Sequence, residues 1–204
     1  MCLIAARPIH EEARRMSTNR IRSQIEAAWR QEADTKAFAS LVRQQLVQAG
    51  AGTVPEDSTT VADILSTWRL QLENVPDLID AMRTAAENAG MSAAVAPVLA
   101  AAERYFLDDD DVLPDAHGVL GLLDDMYLAL TLLQEVSERH RRGTGQPLID
   151  VDLAESIGSV RPLFRGARLA ALDERIRRTL AEPALIRCIE RLSGLKQGLA
   201  LSAA

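Results

Sequence analysis

Aromatic side chains are scarce in this chain of 204 residues: Trp29, Trp68, Phe38, Phe106, Phe164, Tyr105 and Tyr127 make up 3% of it. Proteins that grip single strands of nucleic acid by stacking need an aromatic platform. A formal net charge of −6 adds a repulsive field, so nucleic acid is not an expected partner. The cysteines, Cys2 and Cys188, are too few for a disulfide framework or a zinc quartet. His10, His117 and His140 are the only histidines, which argues against a multi-histidine metal centre. No apolar run reaches the length of a membrane-spanning helix. The opening Met1 to Pro8 has no basic stretch ahead of its apolar residues, so a secretory signal is not expected. Glycine-rich phosphate loops, a nucleophile elbow and alternating β-branched runs are also missing.

Helix formers fill the space these absences leave. Alanine, leucine, glutamate, glutamine and arginine dominate, and apolar residues are 48% of the chain. Ile21, Ile25, Ala28 and Trp29 are spaced for one helix face, and Asp34 or Thr35 is placed to cap a second helix carrying Phe38, Leu41, Val42 and Leu46. Residues 50–60 read as a loop. Val61, Ile64, Leu65, Trp68 and Leu72 form the next stripe, and Pro76 is expected to end that helix or start the next. Leu78, Ile79 and Met82 follow in a further helix, then Val95, Val98, Leu99, Ala102 and Phe106 in another. A long helix is expected over Val119 to Arg142, ended by Arg139, His140, Arg141 and Arg142 with Gly143 as a left-handed cap. Asp150 or Asp152 opens a short helix, and 173–180 and 183–199 are amphipathic.

The fold class is therefore all-α: a bundle of about seven to nine helices around a central buried hairpin. It is read as one all-helical domain over 1–204, with a helical arm over 1–50, a core over 59–142 and a C-terminal helical segment over 148–204. Charge is uneven along it. Residues 1–50 carry +3, residues 51–136 carry −13 and residues 137–204 carry +4. The basic ends folding onto the acidic middle would satisfy this pattern internally.

The helix over 119–142 has two apolar stripes. Val119, Leu120, Leu123, Met126, Tyr127, Leu130 and Leu133 form one, and Leu128, Ala129, Leu132 and Val136 form the other. A helix apolar on opposite sides is sandwiched between neighbours. Asp125 falls on the second stripe and Asp124 at its shoulder, and two buried carboxylates need partners. Asp111, Asp115, Asp124 and Asp125 are candidate ligands for Mg²⁺ or Ca²⁺, hard cations that take oxygen donors. The alternative is a structural clasp in which they accept backbone N–H bonds, and that clasp, with no cofactor, is the preferred reading. Arg161, Arg165, Arg168 and Arg175 recur at helical steps and make a candidate cationic stripe for an acidic protein face or anionic lipid.

Asp111-Val112-Leu113-Pro114-Asp115, then Val119-Leu120-Gly121, then Leu123-Asp124-Asp125, resembles the signature of the YkvA-like bacterial family of unknown function. The likeness covers about residues 99–136 and departs from the signature at Ala116, His117 and Gly118. It implies an all-helical hairpin module, often linked to membranes or found beside other domains, with no agreed activity. The expected function is a non-catalytic interaction or scaffold protein in the cytoplasm, with a protein partner. Two alternatives stay open: a divalent-cation-dependent enzyme using the aspartate turn, and a peripheral protein of the inner-membrane surface using the arginine stripe.

Overall fold

The computed structural model describes residues 7–107, 118–164 and 166–181, with 183, 186, 187 and 190. The described residues hold seven α-helices and no strand: α1 (Arg7–Thr35), α2 (Ala37–Leu46), α3 (Thr59–Asn88), α4 (Ser92–Leu107), α5 (Val119–Thr144), α6 (Ala154–Val160) and α7 (Ala167–Leu180). The all-α expectation holds, at the lower end of the expected helix number. Most of the 183–199 segment lies outside the described residues.

Heptad spacing explains the packing. The buried positions of α1 are Thr18, Ile21, Ile25, Ala28 and Glu32, a 3-4-3-4 series. On α3 the series Val61, Leu65, Trp68, Leu72, Val75, Ile79, Met82 and Ala86 keeps the same alternation along nearly the whole helix. Such seams suit the shallow crossing angles of helix bundles. Buried side chains from all seven helices join one hydrophobic cluster. The most extensive pairing is α4 against α5. Every residue from Gly121 to Leu130 on α5 is buried, as its two stripes require. It packs against α1, α3 and α4, and against α6 and α7.

Three expected boundaries are corrected. Pro76 does not end a helix: α3 runs through it for 30 residues. An interior proline costs a helix roughly 3 kcal/mol. Each fully buried large apolar side chain returns roughly 1.5–3 kcal/mol. Leu72, Val75, Ile79 and Met82, all 0–1% exposed, flank the proline without a break in spacing, so the seam outweighs the lost bond. Gly143 is not the left-handed cap of α5. It is buried within the last turn, and Gly145 (φ 88°) takes that role, its N–H donating to the Arg141 carbonyl. The Thr144 hydroxyl donates to the His140 carbonyl at 2.9 Å and the His140 ring bonds the Gln146 carbonyl, which carries the helix past the expected stop. Neither Asp34 nor Thr35 caps α2. Lys36 adopts a left-handed conformation (φ 50°) and folds the chain back. The carboxylate of Glu32, from the last turn of α1, then accepts the Phe38 and Ala39 N–H groups at 2.9 Å each.

Asp152 is the residue that serves α6, accepting the Ala154 N–H at 2.9 Å. Arg22 pairs with Asp77 and Lys36 with Glu56, so the basic N-terminal segment does reach the acidic middle. Both pairs are solvent-exposed and stabilise little.

Candidate functional site

α5 carries the acidic half of the candidate site. Asp124 and Asp125 lie in its second turn and are each 1% exposed. Both have interaction partners, as buried carboxylates require. The start of α5 is roofed by α1: a Cβ on Gly118 would sit 3.3 Å from Gln31 Oε1, and Gly118 itself has φ +59°. Backbone angle and close approach together call for glycine there. Asp111 and Asp115 lie outside the described residues, as does His117. Among the described residues no three histidine, cysteine, aspartate or glutamate side chains converge as metal ligands.

The arginine stripe is divided. Arg161 Nη2 donates to Asp173 Oδ2 at 2.9 Å, and the Arg175 guanidinium sits 5.0 Å from the ring centroid of Tyr105. Both contacts are made to other parts of the chain. Arg165 and the Arg168 side chain lie outside the described residues. Arg178 donates to Glu174 along α7, and Arg177 pairs with the same carboxylate.

Arg161 and Arg175 belong to a polar closure that joins residues far apart in the chain. The Tyr127 hydroxyl donates to Asp173 Oδ1 at 3.0 Å, so Asp173 bridges α5 and Arg161. The Tyr127 ring tilts against Phe164 at 6.1 Å between centroids. The Tyr105 hydroxyl shares a buried hydrogen bond with Thr179 Oγ1. Both tyrosines of the chain are 2% exposed, and both are met by α7. The available signal was that a buried tyrosine needs a partner for its hydroxyl, but sequence spacing does not say which.

Burial pushes the Tyr127 phenol above the ordinary tyrosine value, and the hydrogen bond to Asp173 and its charge act in the same direction, against an opposing pull from Arg161. The stability linked to this raised value is fully present below the unfolded value near 10 and is lost as pH rises through the folded one. Thermal melts should therefore fall in midpoint under alkaline conditions beyond that value. Tyr127→Phe should make the fall shallower. An unchanged alkaline profile in the Tyr127→Phe protein would remove Tyr127 from the explanation.

Between α3 and α4, Arg83 bridges Asp80 and Glu103. A shallow groove of about 150 Å³ lies there, lined by Arg83, Glu87, Glu103 and the small side chains of Ala86, Ala96 and Ala100. Pockets that take small-molecule ligands usually enclose roughly 300–1,000 Å³, so this groove is smaller than a usual ligand site. Among the described residues no helix is long and apolar enough to cross a membrane. No family model, curated protein or solved structure gives a match to this chain.

Proposed function

We propose that this chain is a cytoplasmic, non-catalytic interaction module built around a YkvA-like helical hairpin, with another protein as its partner. One observation carries the reading. Six polar side chains in and near the interior join helices: Glu32 on α2, Arg83 between α3 and α4, and Tyr105, Tyr127, Asp173 and Thr179 on closing α7. Groups held this way position a scaffold. A reacting centre instead needs a nucleophile or base facing a cavity where substrate can sit. Arg161 and Arg175 already serve Asp173 and Tyr105, which weighs against the stripe as a lipid-binding surface.

The divalent-cation enzyme stays as the second reading because Asp124 and Asp125 are adjacent and buried at 1% exposure. Melting in millimolar Mg²⁺ or Ca²⁺ separates the two. A ligand that binds only the folded form adds RT ln(1 + [L]/Kd), about 2.7 kcal/mol at a hundred times Kd. A structural clasp predicts no cation-dependent rise, and a modest loss for Asp125→Asn, whose amide oxygen still accepts hydrogen bonds. A rise in melting temperature that vanishes in the Asp125→Asn protein would put the enzyme reading first.

A further inference from the structure

The attachment of α7 buries much less apolar surface than that of α5 and adds polar links to it. α5 is apolar-packed on both sides, whereas α7 places Leu172 (0% exposed) and Ile176 (8%) as its fully buried apolar anchors among the described side chains. Leu169 and Leu180 add partly buried apolar contacts to the core, and the other described links of the helix to the body are polar or cationic. Thr179 meets the Tyr105 hydroxyl, Asp173 receives Tyr127 and Arg161, and Arg175 covers the Tyr105 ring. Immediately before α7, Gly166 stands at φ 58° and ψ −131°. A Cβ there would meet nothing within 4 Å, so the backbone angle, not crowding, is what requires glycine.

We propose that α7 is a hinged strap that swings at Gly166 and opens from the α4–α5 hairpin before α3 and α5 come apart. Closed, it withholds the hydroxyls of both tyrosines from solvent. The energetics favour this order of opening. Hydroxyls, carboxylates and guanidinium groups released from the strap exchange one hydrogen-bond partner for water, so their net loss is small. Lifting α5 instead exposes a ten-residue buried run from Gly121 to Leu130, and apolar exposure has no such replacement. Helices with few buried apolar contacts are the ones that open sub-globally. The strap goes beyond the interaction-module reading and stands or falls without it, because its test contains no partner and no cation.

Native-state hydrogen exchange on the full chain, followed by mass spectrometry, reads the proposal directly. Backbone amides of α7 should be protected, yet exchange at least about tenfold faster than those of the Leu122–Val136 stretch of α5, with a denaturant dependence that is measurable but smaller than that of α5. Thr179→Val keeps side-chain shape and removes the hydroxyl partner of Tyr105. Tyr127→Phe keeps the ring against Phe164 and removes the donor to Asp173. Each should speed α7 exchange by roughly five- to tenfold and leave α3 unchanged. The proposal is overturned if α7 and α5 exchange in step in the parent protein, if α7 shows no protection, or if the two variants accelerate α3 as much as α7. The parent comparison decides the matter even if a variant fails to fold.

Discussion

Replacing Leu123 or Leu130 with alanine should lower the unfolding free energy by roughly 2–5 kcal/mol each, the span for truncating leucines in a packed interior. The two side chains are 0% and 2% exposed. Position on α5 sets where in that span they fall. The helix is enclosed by α1, α3 and α4, and by α6 and α7, so the cavity left by a truncated side chain has no free wall to move inward. Incomplete collapse is what raises the cost, and both values should lie in the upper half of the span. Arg141, on the same helix, pairs with Glu138 at 2.6 Å with its side chain 54% exposed, and Arg141→Ala should leave the midpoint almost where it was. Denaturant melts with an unchanged slope, which shows that the extent of unfolding is the same, are the measurement. Equal losses at all three positions would contradict the burial of α5.

That helix was legible because its information is local and redundant. Two apolar stripes on opposite sides of one helix admit a single reading, a helix packed on both faces. The outcome is continuous burial over Gly121 to Leu130. The seam of α3 was only half legible. Its spacing continues across Pro76, but the helix propensity of that one residue points to a break, and the burial of Val75 and Ile79, 0% and 1% exposed, overrides it. The end of α5 was displaced for a related reason. Gly143 and Gly145 are equally able to take a left-handed cap, and the choice between them rests on the side-chain bonds of Thr144 and His140.

The candidate site was legible as residues and illegible as partnerships. Spacing alone placed Asp125 on an apolar stripe of α5. The Tyr127–Asp173 bond joins residues 46 apart, and the Tyr105–Thr179 bond joins residues 74 apart. No periodicity within a helix encodes pairings over such separations. Arg161 and Arg175 illustrate the consequence. Read along the chain they are members of one cationic stripe, but in the folded protein Arg161 serves a carboxylate on α7 and Arg175 the face of an aromatic ring on α4. The recurrence of arginine was real, and its meaning was set by what α7 packs against.

Glu32→Ala should be the most damaging change available at a charged residue of the α1–α2 corner, at about 2–4 kcal/mol. Glu32 occupies the position after Ala28 in the buried series of α1 and is 7% exposed. Its two oxygens take the N–H groups of Phe38 and Ala39, donors in the first turn of α2 that have no acceptor within their own helix. Phe38 is 0% exposed and Ala39 9%, so water cannot readily replace the carboxylate. Leaving a buried donor unsatisfied costs roughly 1–3 kcal/mol. The negative charge also opposes the positive end of the α2 dipole, a further contribution of roughly 0.3–1 kcal/mol. Glu32→Gln sharpens the test. Glutamine keeps the size and one carbonyl oxygen, so one N–H remains satisfied while the other faces an NH₂ group, and the loss should fall to about 1–2 kcal/mol. Denaturant melts give the two losses, and amide exchange at Phe38 and Ala39 locates them. If alanine and glutamine cost the same, or if neither speeds exchange at those two amides, the carboxylate is not what starts α2.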